Sequence, residues 1–96
     1  MSPLSQGEIA KRLQTTKGWA QVENTLHQQF TLKTFAAAIE FVNSIARAAE
    51  KAKHHPDIDI RYNVVAITLS THSARGVTEK DFALAQQIDD LASNLR

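Results

Sequence analysis

From Phe35 to Lys53 the chain runs for nineteen residues without a glycine or a proline, and seven of them are alanine. Alanine is the strongest helix former, so this run is predicted to be one long helix with Thr34 as its N-cap. At 1.5 Å per residue such a helix is roughly 28 Å long, about the diameter of a small domain. In a chain of 96 residues everything else must then pack along it. Projected at about 100° per residue, its apolar side chains fill an arc of roughly 200°, from Ala37 and Ala48 through Phe41, Ile45 and Ala38 to Val42, Phe35, Ala46 and Ile39. A helix lying on one face of a sheet needs an apolar stripe of about 100° or somewhat more. Two readings stay open. The excess serves a second packing surface, or alanine is there as a helix former that tolerates water.

Pro56 disfavours helical geometry at His55, so the helix is expected to end near His54. Glu50 and His54 are four residues apart, a spacing that would put them on one helix face. An imidazolium there is favoured by the helix dipole and by the carboxylate, whereas burial would oppose its charge. Three of the four imidazoles, His54, His55 and His72, fall where the chain changes structure. Imidazole is the side chain that ordinarily titrates nearest neutrality, so the arrangement suits proton transfer.

The flanking segments supply a sheet. Ser5 and Glu8 have capping-box spacing at the start of a short helix, with Leu4 and Ile9 placed as a hydrophobic staple. Trp19 to Val22 and Thr25 to Phe30 read as a hairpin about a Glu23-Asn24 turn. His27 falls on the parity opposite to Leu26 and Phe30 and is read as a surface residue. Trp19 is either a core anchor or a stacking wall for a flat ligand. Asp57 to Thr71 reads as a second hairpin turning at Asn63, with Ile58, Ile60 and Tyr62 sharing one face. Ser73 to Val77 is a loop. Thr78 then opens an amphipathic last helix, where Asp81 at N3 suits the N-terminus. The order helix-β-β-helix-β-β-helix predicts an α+β fold, a four-stranded antiparallel sheet with three helices packed on one face. The length predicts a single domain over residues 1–96.

Composition narrows the functions. The eleven basic residues are scattered and the formal net charge is +1, so the basic stripe of a nucleic-acid binder is missing. Without cysteine there is no thiolate nucleophile and no Cys-ligated metal. No apolar run is long enough to span a bilayer, and the N-terminus lacks a signal-peptide pattern. A soluble, cytoplasmic domain is the expectation.

Seven residues carry more than class. Glu50, His54-His55-Pro56, Tyr62, His72 and Asp81 follow one another with gaps of three, five, nine and eight residues. This spaced set resembles the signature of the pterin-4a-carbinolamine dehydratases, and Lys17-Gly18-Trp19 and Gly76-Val77-Thr78 agree with it. The resemblance implies the same helix and strand order and a homodimer or homotetramer. The activity it implies is loss of water from 4a-hydroxytetrahydrobiopterin to give quinonoid dihydropterin, a hydro-lyase step in tetrahydropterin recycling. It further implies His54 and His72 as the acid–base pair, with Glu50 partnering His54. His55, Trp19, Pro56 and Asp81 would contact the pterin, and Tyr62 would pack. Neither a cofactor nor a metal is needed, since both steps are proton transfers.

Three other readings fit some of these residues. A metal site on His54, His55 and His72 is disfavoured because adjacent histidines at a helix end rarely converge on one ion. Some members of the family also serve as dimerisation cofactors of a homeodomain transcription factor, so a protein-binding module is the main alternative. The third is a fold relative that keeps the histidines and acts elsewhere in pterin metabolism.

Overall fold

The computed structural model describes residues 2–95. The elements are α1 (Gln6–Leu13), β1 (Ala20–Val22), β2 (Thr25–Thr31), α2 (Phe35–Ala52), β3 (Asp57–Arg61), β4 (Val64–Leu69) and α3 (Glu79–Leu95), with one 3-10 turn at His72–Ala74. This is the expected α+β order. The sheet runs β1-β2-β4-β3 and is antiparallel throughout. The non-sequential β2–β4 pair is therefore central, with one hairpin on each side of it.

Strand alternation decides which face holds the core. Register sets Leu26 opposite Leu69, Gln28 opposite Ile67 and Phe30 opposite Val65, and all six are buried. The helices close over this face. Ile9 of α1, Phe41 and Ile45 of α2, and Leu84 and Ile88 of α3 join the strand residues in one cluster. Phe30 lies at its centre, edge-on to Phe41 at 5.1 Å and to Trp19 at 6.1 Å between ring centroids. His27, on the other parity, is only half-buried and bonds Thr68 across the strands at 3.1 Å.

The helix starts follow their caps. The Ser5 hydroxyl accepts the Glu8 N–H at 3.2 Å, and Thr34 accepts that of Ala37 at 3.0 Å. In α2 the fully enclosed positions are Ala38, Phe41, Ile45 and Ala49, a stripe much narrower than the apolar arc. One flank of the remainder is covered within the chain, where Ser44 and Ala48 face Leu91 of α3 across a shallow groove. The other flank is only partly covered, with Phe35 (52%) and Ala46 exposed and Ile39 and Val42 half-buried.

Trp19 precedes β1 rather than lying in it. Its ring is 6% exposed and its indole N–H donates to Asp89 Oδ1 at 2.9 Å. A side chain at Gly18 would be strained. Its φ is +83°, and a Cβ would overlap the side-chain oxygen of Gln28, which is itself anchored on Asp89 Oδ1 at 3.2 Å.

Tyr62 departs from the expectation that it packs. It occupies the turn between β3 and β4 with φ +54° and is 72% exposed. The neighbouring Asn63 makes the tertiary contacts instead, bonding the Leu32 backbone through both its carbonyl (2.9 Å) and its side-chain amide (2.8 Å). The segment after β4 is also more ordered than a loop. The 3-10 turn is closed by Arg75 at φ +58° and by a bridge between Thr71 and Gly76.

Candidate active site

The site is assembled where α2 stops. Lys53 adopts the left-handed conformation, φ +54°. The Lys53 N–H then reaches Glu50 O (3.2 Å) and the His54 N–H reaches Ala49 O (3.0 Å). These two bonds form a Schellman motif, which satisfies the last carbonyls and turns the chain out of the helix. His54 therefore lies beyond α2, and the helical i,i+4 spacing assumed for Glu50 and His54 does not apply to it. The structure corrects that pairing. Glu50 Oε2 meets His55 Nε2 at 2.6 Å, with both side chains largely exposed.

His54 turns inward. It is 9% exposed, and its Nε2 lies 2.5 Å from Oδ1 of Asp81. Asp81 has no exposure at all. Its other oxygen, Oδ2, accepts the Thr78 backbone N–H at 2.8 Å and the Thr71 hydroxyl at 2.9 Å. The first of these is the predicted helix cap. The pairing with His54 was not predicted. A buried carboxylate carrying three such bonds is satisfied on both oxygens, as burial in low dielectric requires.

Thr71 links the two histidines expected to work together. It continues the inward parity of Val65, Ile67 and Leu69, and its hydroxyl is tied to Asp81 and, at 2.7 Å, to Thr78. His72 follows it immediately and is exposed. It helps to line an open cleft of about 270 Å³ with Asn24, Thr25, Ser70, Arg75 and Thr71. The β3–β4 register, extended three residues back from Asp57, would bring His55 level with Ser70 and His54 level with Thr71. The imidazoles of His54, His55 and His72 therefore gather at one end of the sheet, one largely buried behind it and two facing water.

Two of the residues expected to contact the pterin do not line this cleft. Trp19 is enclosed in the core beside Phe30 and is not among the residues lining this cleft. Pro56 is half-buried at the entrance to β3, where it stops α2 from extending. Spacing alone does not single out Thr71, although a polar residue on an otherwise apolar strand parity was a usable signal.

The arrangement can hold one imidazole in a fixed orientation and present others to a ligand from the solvent side, which suits general acid–base chemistry. Among the described residues no helix is long and apolar enough to cross a membrane, and no group of three His, Cys, Asp or Glu could hold a metal ion.

Comparison with known proteins agrees with the residue pattern. A protein of Herpetosiphon aurantiacus named "Putative pterin-4-alpha-carbinolamine dehydratase" is 51% identical over 89 residues, 93% of each chain. A crystal structure from Brucella melitensis, described as a transcriptional coactivator/pterin dehydratase, superposes with a TM-score of 0.92 at 35% identity, covering 95% of this chain and 99% of that one. A pterin dehydratase-like protein described as a RuBisCO assembly factor in the alpha-carboxysome superposes with a TM-score of 0.68 at 27% identity, over 78% and 89% of the two chains. Residues 2–91 match the family described as Pterin 4 alpha carbinolamine dehydratase, and the chain belongs to that family.

Proposed function

We propose that this protein is a hydro-lyase that dehydrates 4a-hydroxytetrahydrobiopterin to quinonoid dihydropterin, with His54 and His72 as its acid–base pair. In this reaction the C4a–O bond and a ring N–H bond break, a C=N bond forms, and water leaves. One group must protonate the departing hydroxyl and another must take the ring proton. Groups that change protonation near neutrality do both economically. The observation that carries this reading is the chain of contacts His54–Asp81–Thr71, which ends beside His72 at the mouth of an open cleft. His55, with Glu50 at 2.6 Å, stands at the same sheet end as a pterin-binding group.

The test is the reaction itself. The purified protein should accelerate loss of water from a freshly generated 4a-carbinolamine pterin, followed by ultraviolet absorbance, well above the spontaneous rate. An unchanged rate from pH 6 to 8.5 would remove the enzyme reading. A role in tetrahydropterin recycling would then rest on whether a pterin-dependent hydroxylase is regenerated faster in its presence.

We also propose that the partly covered flank of α2 joins copies of the chain. Phe35, Ile39, Val42 and Ala46 recur at intervals of four, three and four residues, the spacing by which two helices pack along a seam. A half-exposed Phe35 at one end of such a stripe is costly to leave in water. Light scattering at low micromolar concentration should give a dimer or tetramer, and a fully active monomer would overturn this. The same stripe supports the alternative of a protein-binding module, a coactivator role like the one in the description of the Brucella melitensis protein.

A further inference from the structure

The hydrogen bonds around Asp81 all run one way. Lys80 N–H donates to the Thr78 hydroxyl at 3.2 Å, which leaves that hydroxyl its own proton to give. The Thr78 and Thr71 hydroxyls are 2.7 Å apart, and the Thr71 hydroxyl donates to Asp81 Oδ2 at 2.9 Å. Each hydroxyl has a single proton. Thr71 uses its proton on Asp81, so Thr78 donates to Thr71. The opposite sense would need a proton on Oδ2. That oxygen already accepts the Thr78 backbone N–H at 2.8 Å, at a helix N-terminus where the dipole favours a carboxylate.

Asp81 is therefore the acceptor on which every donor in the network ends, and Oδ1 is left for His54. With Asp81 as the carboxylate that its helix N-terminus favours, the nitrogen facing Oδ1 at 2.5 Å carries the hydrogen, which makes Nε2 the donor. A neutral imidazole has one ring proton, which makes Nδ1 the bare nitrogen. Nδ1 has no protein partner among the described residues, yet none of their sealed side-chain nitrogens or oxygens is unsatisfied. Nδ1 consequently opens to solvent even though the ring as a whole is 9% exposed.

We propose that Asp81 is a positioning residue: it holds His54 as the Nε2–H tautomer, and His54 meets its substrate through Nδ1. Asp81, with no exposure, does not contact the pterin as the sequence suggested. The identity of the substrate rests on the dehydratase reading above, whereas the tautomer does not.

Asp81→Asn offers a sharp test, because the network dictates how the amide must sit. Its oxygen has to take the place of Oδ2, where it accepts from Thr78 N–H and Thr71. Its NH₂ then faces Nε2, which must lose its proton, and the tautomer inverts to Nδ1–H. In ¹⁵N-histidine NMR spectra recorded where His54 is neutral, the wild-type protein should show Nε2–H and the variant Nδ1–H. The kcat should fall by about a hundredfold to ten-thousandfold, as when a carboxylate orienting a catalytic imidazole is replaced by an amide, with KM changing less than about threefold. Adding a dihydropterin product to the wild-type protein should move the Nδ1 resonance and leave Nε2–H in place, a result that does not depend on the variant folding.

A wild-type Nδ1–H tautomer would overturn the proposal. So would a pterin response at Nε2, a folded variant with turnover within about threefold of wild type, or a loss confined to KM. A wild-type protein without dehydratase activity would instead sink the function, and the wild-type spectrum would still decide the tautomer.

Discussion

Replacing either His54 or His72 with alanine should slow pterin dehydration by about a hundredfold to ten-thousandfold, the range a positioned acid or base contributes. His27→Ala should leave turnover within about twofold, as expected for a side chain outside the proton path. The contrast follows from position. His27 pairs with Thr68 on the sheet face away from the core, whereas the Asp81 and Thr71 contacts connect His54 to the residue beside His72 at the sheet end. The His54 and His72 variants also differ in their side effects. His72 is exposed, so its loss should not disturb folding. Truncating His54 leaves Asp81 Oδ1 without its partner, at a cost of about 1–3 kcal/mol, so circular dichroism must accompany the kinetics. Equal losses in all three variants would mean that a folding defect, not missing acid–base groups, was being measured.

Phe41→Ala should be the most damaging single truncation for stability. Phe41 is completely enclosed, edge-on to Phe30, at the point where α2 crosses the central strands. Deleting a buried phenylalanine ring typically costs about 3–5 kcal/mol, as lost transfer energy plus the cavity left behind. A domain of this size has a total stability of roughly 5–14 kcal/mol, so the variant should lose about a fifth of it or more. Urea denaturation followed by Trp19 fluorescence would show a lower midpoint with a similar slope. A shift worth less than about 1 kcal/mol would mean that neighbouring side chains collapse into the space.

Most of the fold could be read from the chain because its signals are local. Ser5, Thr34 and Thr78 lie at the helix starts where their capping chemistry predicts, and strand parity separates Leu26 and Phe30 from His27. The assignment of Glu50 to His54 failed for an equally local reason. The pairing presumed that the helix continued to His54, but a left-handed lysine ends it one residue earlier, at a position where glycine is usual. Tyr62 was misjudged because periodicity treated it as a strand residue, whereas it is a turn residue at positive φ. The bond between His54 and Asp81 spans twenty-seven positions and is set by α3 lying against α2. No periodicity carries that distance. The family signature contained both residues, but not the fact that they touch.

The left-handed residue at the end of α2 has one more consequence. After Lys53 the chain leaves the helix, and Pro56 disfavours helical geometry at His55; in an extended chain consecutive residues point to opposite sides. Two chemically identical side chains, one step apart, are thereby sorted into different surroundings. His54 is enclosed against a carboxylate, and His55 stands in water beside another. What distinguishes them is their place after the helix terminus. The connection from Lys53 to Pro56 is thus a ruler whose length cannot drift: one residue more or fewer would exchange the inner and outer imidazoles without altering a single side chain.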